Sequence, residues 1–202
     1  MTVREFTIND LPILLIGEKQ ECVFLFVHGL GGNKEEALSF AEVACPLGFQ
    51  VLSIDLPVGS KPWEVVALLI PVREYLFKHW HSISLRSNSI GSWFSMLAFQ
   101  QSSIKQALFV APILDMKRFI ELMDQREEDY YQWVVVHPVC DWNVPTFILR
   151  PKTDLVVADS VGRYFVVQHS CRVTIMENGE HWFHTPEQLD VMRHWEQNSI
   201  MR

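Results

Sequence analysis

The chain has 202 residues, of which 49% are hydrophobic and 20% charged. It is therefore long enough to bury a sizeable core, and its composition differs from that of a disordered chain. The formal net charge is −7 and no long basic run occurs, so nucleic acid is a poor expected partner. The N-terminus has no apolar signal core, and the richest apolar run, 65–72, is too short to span a membrane.

Cysteine and histidine spacing gives no indication of a disulfide framework or a metal site. The four cysteines are scattered and form no C-x-x-C pair, and no H-E-x-x-H motif or zinc-type Cys/His cluster is present. We therefore expect reduced thiols in a cytoplasmic protein that needs no metal or cofactor. We also expect one domain over residues 1–202, and the sequence leaves its oligomeric state open.

The predicted elements begin with a short hairpin of two strands, 4–8 and 12–16. The continuous apolar run 22–27 then predicts a strand covered on both faces. A helix capped by Asn33 follows it and ends at about Pro46.

The next strand and helix occupy residues 49 to about 79. The apolar run 49–54 predicts a buried strand, and Ser60 and Pro62 open a long helix that ends at about His79. Pro71 lies inside this helix and is expected to kink or split it.

The second half of the chain continues the alternation. The predicted strands are 81–86, 106–111, 146–149 and 172–176, and the predicted helices are 93–99, 161–169 and one that opens with a capping box at Thr185. Residues 115 to about 144 interrupt the alternation, first with charged helical sequence and then with aromatic residues.

Strands that alternate with helices predict an α/β fold with a mostly parallel central sheet. About seven or eight strands are expected, with helices on both faces. Ligands of such sheets bind at the carboxyl ends of the strands. Polar residues follow the predicted strands there, namely His28-Gly29, Asp55, Ser89, Asp154 and His181.

The stretch 87–91, Ser-Asn-Ser-Ile-Gly, joins a predicted strand to a predicted helix. A tight turn in this position lifts a serine hydroxyl above the end of the sheet, which makes Ser89 a candidate nucleophile. Such a hydroxyl needs a base, usually a histidine oriented by a carboxylate. Asp154 and His181 each follow a later strand, so the chain order is Ser89, Asp154, His181.

Five pieces of sequence resemble the α/β-hydrolase superfamily across nearly the whole chain. They are His28-Gly29-Leu30-Gly31-Gly32, Asp55-Leu56-Pro57, Ser87-Asn88-Ser89-Ile90-Gly91, Thr153-Asp154-Leu155-Val156-Val157 and Gly179-Glu180-His181-Trp182-Phe183. The resemblance implies an α/β-hydrolase fold in which Ser89 is the nucleophile, His181 the general base and acid, and Asp154 the residue that orients it. It also implies that the backbone N–H groups of Leu30 and Ile90 form an oxyanion hole.

The stretch 87–91, which corresponds to the nucleophile elbow of that superfamily, departs from the family pattern at one position. The family usually has G-x-S-x-G, and here Ser87 replaces the first glycine. The position is crowded, so a small residue is required, and serine is small.

Other residues of the same types compete for these roles. They are Ser87, Ser92, His28, His137, His184, Asp55, Asp141 and Asp159. We expect Asp159 to cap the following helix, His184 to make a surface or capping contact, and Asp55 and His28 to fix loops.

The insert at about 115–144 occupies the place where the superfamily often carries a cap, and its shortness implies a minimal one. Trp133 and Trp142 in the insert, together with Trp182, are candidates to line a substrate pocket. Core packing is the alternative for Trp133 and Trp142.

These features favour a serine hydrolase that cleaves a carboxylic ester or thioester of a small substrate through an acyl-enzyme. One alternative is a binding scaffold without turnover, which Ser87 at the elbow motivates. Another is an acyltransferase, amidase or C–C hydrolase that uses the same three residues. Fold analogy does not separate these possibilities.

Overall fold

The computed structural model describes residues 1–123, 127–169 and 171–201. Within them one eight-stranded sheet is formed by β1 (Val3–Ile8), β2 (Leu11–Ile16), β3 (Cys22–Val27), β4 (Phe49–Ile54), β5 (Ser82–Asn88), β6 (Ala107–Val110), β7 (Thr146–Pro151) and β8 (Arg172–Met176). The order across the sheet is β1-β2-β4-β3-β5-β6-β7-β8. The pairs β1–β2 and β2–β4 are antiparallel, and the pairs from β4 to β8 are parallel. The predicted mostly parallel sheet is therefore confirmed.

The predicted opening hairpin is β1–β2, and its turn consists of Asn9 and Asp10. Both residues have positive φ, 46° and 65°. A two-residue hairpin turn with two left-handed residues matches the twist of the strands that it joins, and Asn and Asp tolerate that conformation better than most residues.

The helices are α1 (Ala37–Ala44), α2 (Pro62–His79), α3 (Ile90–Phe99), α4 (Met116–Glu121), α5 (Glu128–Val136), α6 (Arg163–Gln168) and α7 (Pro186–Ser199). α7 begins with the predicted capping box, in which Thr185 and Gln188 bond each other's backbone N–H. Within the described ranges, no helix has both the length and the apolar character that crossing a membrane requires.

α2 continues through Pro71 without interruption, so of the two predicted effects, a kink or a split, the split does not occur. A proline inside a helix costs about 3 kcal/mol through a lost hydrogen bond and a steric clash. α2 buries Val65 and Leu69 on one side of Pro71, and Val72 and Leu76 on the other. Burying a side chain of this type stabilises by about 1.5–3 kcal/mol, so packing of the whole helix outweighs the local cost.

The helices cover both faces of the sheet, as predicted. In β3, Val23, Leu25 and Val27 point to the face on which α2, α3 and α5 pack, and Phe24 and Phe26 point to the opposite face with α1 and α7. All five of these β3 side chains are buried. This explains why the sequence of β3 is apolar throughout rather than alternating.

A buried ion pair connects α7 to the centre of the sheet. Arg86 on β5 donates from Nε to Oε1 of Glu196 on α7 at 2.8 Å, and each residue is 1% exposed. Burial raises the pKa of the Glu196 carboxyl, and the guanidinium beside it opposes that rise. Each charge therefore depends on the other, because an uncompensated charge in the interior is strongly unfavourable.

Removing one member of this pair should destabilise the protein strongly. We expect Glu196→Ala to lower the free energy of unfolding by about 3–5 kcal/mol, because it leaves the Arg86 guanidinium buried without its carboxylate. The measurement is urea unfolding followed by circular dichroism. The double variant Arg86→Met/Glu196→Met should lose less than Glu196→Ala alone, and a larger loss in the double variant would contradict the explanation.

Candidate functional site

Three side chains that follow three different strands are joined by hydrogen bonds. Ser89 follows β5, Asp154 follows β7 and His181 follows β8. His181 Nε2 lies 3.0 Å from Ser89 Oγ, and His181 Nδ1 lies 2.8 Å from Asp154 Oδ2. An ionised carboxylate only accepts, so Nδ1–H donates to Asp154 and Nε2 of the neutral ring is left to accept the Ser89 proton.

The backbone of Ser89 has a conformation that non-glycine residues rarely adopt, with φ 47° and ψ −122°. Its N–H donates to the Val110 carbonyl at 3.0 Å. Its carbonyl accepts from the N–H groups of Ser92 and Ile113, each at 3.1 Å. Such backbone strain persists only where surrounding contacts over-determine it. Here β6, the residues after β6 and the first turn of α3 together hold the serine at the top of the turn.

Two glycines allow other segments to approach this turn closely. A Cβ at Gly91 would lie 2.3 Å from the His28 carbonyl oxygen and 2.8 Å from that of Val27. A Cβ at Gly29 would lie 3.2 Å from Ser89 Cβ. Gly91 therefore lets α3 pack against the end of β3, and Gly29 brings the loop after β3 alongside Ser89.

Ser87, which stands where the family usually has glycine, is fully buried. Its Oγ lies 2.8 Å from Oγ of Ser95 on α3, and its carbonyl accepts from the Ser92 hydroxyl at 3.3 Å. The extra hydroxyl thus has a polar partner in a crowded position. The sequence analysis did not single out Ser95, although a serine among the apolar residues of a predicted helix is a visible signal.

The Ser87–Ser95 contact predicts a coupled effect on stability. Ser87→Gly should lower the free energy of unfolding by about 1–3 kcal/mol, because the buried Ser95 hydroxyl loses its partner. In the double variant Ser87→Gly/Ser95→Ala the loss should be smaller than the sum of the two single losses. Urea unfolding of the four proteins measures this, and strictly additive losses would argue against the coupling.

The loop after β3 carries Leu30 and is fixed by the buried His28 ring. His28 Nε2 accepts from the Leu56 N–H at 3.1 Å, and Nδ1 donates to the Gly29 carbonyl at 2.7 Å. The expected structural role of His28 therefore agrees with its contacts. Among the described residues, the Leu30 N–H has no acceptor in the protein. The N–H of Ile90, the first residue of α3, has no partner within the helix either.

Two acidic residues that could compete with Asp154 have other contacts. Asp55 accepts from the Lys34 N–H at 2.7 Å and from Lys34 Nζ at 3.0 Å, so it fixes the loop before α1 as expected. Asp159 does not cap the following helix, and that prediction is wrong. Its carboxylate instead pairs with Arg150 and Arg163, which attract it from both sides.

The remaining histidine and serine candidates also lie outside the hydrogen-bonded chain. The N–H of His184 donates to Gln188 Oε1 at 3.0 Å, and its ring is exposed. His137 donates to the Trp133 carbonyl and stacks on the Trp133 ring. Ser92 is buried inside α3.

Asp154 is held in its charged form. Burial alone would raise the pKa of its carboxyl, but hydrogen bonds from His181, from the Val157 N–H and from the Val156 N–H outweigh burial, and the pKa lies below its ordinary value. The two backbone bonds measure 2.9 and 2.8 Å. The carboxylate therefore stays ionised and oriented at neutral pH.

The lowered pKa of Asp154 predicts how its stabilising effect depends on pH. The carboxylate contributes its full stability above the unfolded-state pKa of about 4, and this contribution is lost as pH falls through the lower folded-state value. The difference in free energy of unfolding between wild type and Asp154→Asn should be about 1–3 kcal/mol at pH 7 and should shrink below pH ~4. Urea unfolding at a series of pH values measures it.

The matched control for that series is Asp141→Asn, because Asp141 is exposed and distant from His181 in the chain. Its effect should stay within about 0.5 kcal/mol. A difference for Asp154→Asn that grows as pH falls would contradict the assignment of the shift to these hydrogen bonds.

A cavity of about 340 Å³ opens beside Ser89 and His181. It lies between α1, α7 and the glycine loop, which is formed by residues 29–32 after β3. Its lining includes Leu30, Phe40, Arg86, Trp182 and Met192. An apolar cavity with a few polar groups beside a serine–histidine pair has the character of a small-molecule site.

Of the three tryptophans proposed for a pocket, Trp182 lines this cavity and meets the His181 ring edge-on at 4.7 Å. Trp142 is 1% exposed and donates to Thr146 Oγ1 at 2.8 Å, so it packs in the core. Trp133 packs against Trp93 and His137, away from the cavity lining. Trp142 therefore packs in the core, and the half-buried Trp133 packs against the core. Residues 124–126 of the insert lie outside the described residues.

In the part of the chain that the structure describes, no group of three or more His, Cys, Asp or Glu side chains is placed to hold a metal ion.

No protein-family model and no curated protein matches the sequence. Solved structures do match the fold. Est1E from Butyrivibrio proteoclasticus superposes with a TM-score of 0.80 at 17% identity, over 97% of this chain and 96% of Est1E. A second structure of Est1E with ferulic acid bound gives a TM-score of 0.79 at 16% identity, over 96% of each chain.

Two further structures have the same architecture. XC6422 from Xanthomonas campestris, described as an α/β serine hydrolase without a lid, has a TM-score of 0.73 at 15% identity over 97% of this chain and 92% of its own. The thioesterase domain from the curacin biosynthetic pathway has a TM-score of 0.68 at 11% identity over 97% of this chain and 99% of its own. The chain therefore has the α/β-hydrolase fold, and the recognition of that fold from sequence is confirmed.

Proposed function

We propose that the protein is a serine hydrolase that cleaves a carboxylic ester or thioester of a small substrate through an acyl-enzyme. The observation that carries the proposal is the continuous hydrogen-bonded chain from Ser89 Oγ through His181 to Asp154 beside a cavity. A serine next to a histidine that a carboxylate orients is the arrangement that activates a hydroxyl for attack on a carbonyl.

In the first half of the proposed reaction, Ser89 Oγ bonds to the substrate carbonyl carbon and its proton passes to His181 Nε2. The backbone N–H groups of Leu30 and Ile90 are proposed to donate to the oxyanion that forms. His181 then protonates the departing alcohol or thiol, and the acyl group remains on Ser89. Asp154 stabilises the imidazolium and keeps Nδ1 as the donor nitrogen.

In the second half, water replaces the leaving group. His181 takes a proton from the water, whose oxygen attacks the acyl-enzyme carbonyl, and then returns that proton to Ser89 Oγ. The carboxylic acid is released and the serine is regenerated. The same three side chains therefore serve both halves, and hydrolysis consumes one water for each ester bond.

The structural neighbours support this class of reaction without fixing the substrate. One neighbour is described as a serine hydrolase without a lid, and another is a thioesterase domain. Ferulic acid, the ligand in an Est1E structure, is a carboxylic acid. At these identities the likeness establishes the fold, and the chemistry is proposed from the site.

We further propose that residues 1–202 act as one catalytic domain in which α4 and α5 form a minimal cap. α5 lies against the body of the protein, where Tyr130 stacks on Trp93 of α3 with ring centroids 6.4 Å apart. Lys61, at the start of α2, pairs with Asp129 of α5 at 3.0 Å. These contacts support a cap that packs on α2 and α3 and leaves the cavity beside Ser89 open.

The four cysteines are all free. Free thiols are usual in a reducing compartment, and this supports the proposal that the protein works in the cytoplasm.

A fluorophosphonate probe and a panel of chromogenic esters and thioesters test the reaction. Wild type should be labelled and should hydrolyse members of the panel, because His181 activates Ser89 for attack on an acyl carbon and on the phosphonyl phosphorus alike. Ser89→Ala should abolish labelling and lower kcat/KM by at least about 10⁴-fold, and Asp154→Asn should lower kcat by about 10⁴-fold through loss of the required imidazole tautomer.

Ser103→Ala is the matched control, because Ser103 is exposed in the loop after α3 and takes no part in the site. It should retain labelling and turnover. Wild type that stays unlabelled and turns over no member of the panel would overturn the proposal and favour the binding-scaffold alternative.

A further inference from the structure

The inner wall of the cavity beside Ser89 contains a buried cation. Arg86 lies on β5 three residues before Ser89, so the two Cα atoms are at most about 10 Å apart. Arg86 is 1% exposed and yet lines the cavity. Its Cζ lies 5.4 Å from the centre of the Phe26 ring and 5.6 Å from that of Phe40. A guanidinium placed this deep behind a proposed nucleophile is unusual, because arginine is seldom fully buried.

The donors of Arg86 are only partly satisfied by the protein. A guanidinium has five N–H bonds and no acceptor. Nε donates to Glu196 at 2.8 Å and Nη1 donates to Asn88 Oδ1 at 2.5 Å. Among the residues that the structure describes, the hydrogen-bond partner of Nη2 is the Met192 sulfur, at 3.5 Å. A thioether is a weak acceptor, so Nη2 is a strong buried donor without an oxygen partner, and such a donor favours a ligand that supplies one.

The surrounding charges decide which kind of oxygen fits. Glu196 already neutralises Arg86. Asn88 donates from Nδ2 to Oε2 of Glu36 at 3.3 Å, which places a second carboxylate at the rim of the same cavity. A substrate carboxylate would be a second carboxylate on a guanidinium that Glu196 already neutralises, in a cavity that Glu36 also lines. A neutral hydroxyl, ether or carbonyl oxygen accepts the hydrogen bond without that repulsion.

We infer that Arg86 is a specificity-determining residue whose Nη2 donates to a neutral oxygen carried on one arm of the ester or thioester substrate. The inference rests on the proposed hydrolase function and narrows its substrate class. The remainder of that arm is apolar or aromatic, because Phe40, Leu189 and Met192 form the wall around the guanidinium.

The test compares esters that differ in one atom. Chromogenic esters of ω-methoxy acids are compared with esters of the unsubstituted acids that have CH₂ in place of the ether oxygen, over a series of chain lengths. A third set of matched length ends in a carboxylate. A parallel series places the same groups on the alcohol arm, with turnover followed by a pH indicator. The measured quantity is the ratio of kcat/KM values within each matched set.

Wild type should favour the oxygen-containing ester by about 10- to 100-fold at one chain length in one of the two series, as expected for one hydrogen bond from a charged donor. The carboxylate-ended ester should be the poorest of the three. Met192→Leu preserves the size of the side chain and removes the weak acceptor, so it should raise the ratio further. The double variant Arg86→Met/Glu196→Gln, which leaves no unpaired charge, should reduce the ratio to about one.

Arg4→Met is the control, because Arg4 is exposed on β1 at the far edge of the sheet. Its ratio of kcat/KM values should equal that of wild type.

The inference is overturned if the wild-type ratio of kcat/KM values is near one at every chain length in both series. A preference for the carboxylate-ended ester overturns it too, as does a preference for oxygen that persists in a folded double variant. If the unsubstituted esters are hydrolysed and oxygen gives no advantage, the hydrolase proposal stands and the role of Arg86 fails. If no ester is hydrolysed and the fluorophosphonate does not label Ser89, both fail together.

Discussion

The whole site depends on the backbone of a single residue. Ser89 is held with a positive φ by a hydrogen bond that its N–H donates to β6 and by two that its carbonyl accepts, from the segment after β6 and from the first turn of α3. Relaxing that conformation would turn the hydroxyl away from His181. The parallel arrangement of β3, β5 and β6 is what brings the bracing carbonyls and amides to one place.

The same constraint explains the distribution of small residues around the elbow. Gly91 permits the contact between α3 and the end of β3, and Gly29 permits the contact between the glycine loop and Ser89. Ser87 shows that the third crowded position tolerates a hydroxyl when a partner, Ser95, faces it. The requirement at this position is therefore a small volume with satisfied polarity, rather than glycine as such.

Much of the fold could be predicted from the sequence because short stretches of sequence determine where its strands and helices begin and end. Apolar runs bounded by turn residues located the strands, and the capping box at Thr185 located the start of α7. The carboxyl ends of parallel strands lie at one edge of the sheet, so the residues that follow these strands could be grouped into one site from the sequence alone.

The predictions failed where contacts between residues far apart in the sequence determine the local structure. Burial along the whole of α2 keeps it continuous through Pro71, and Arg150 and Arg163 draw Asp159 away from the helix cap. The burial of Trp142 and the pairing of Arg86 with Glu196 likewise depend on tertiary contacts that no local pattern encodes.

The pairing of Arg86 with Glu196 also bears on the order in which the molecule is completed. The two residues are 110 positions apart, and Glu196 lies in the final turns of the last helix. Until α7 docks, the guanidinium on β5 has no carboxylate to neutralise it, and burying it uncompensated is strongly unfavourable. Docking of α7 supplies the carboxylate, and it closes one wall of the cavity at the same time. The His181 loop lies between β8 and α7 and is tethered at both ends by this step. The hydrogen bond between Ser89 and His181 therefore depends on the docking of α7 as well as on the sheet.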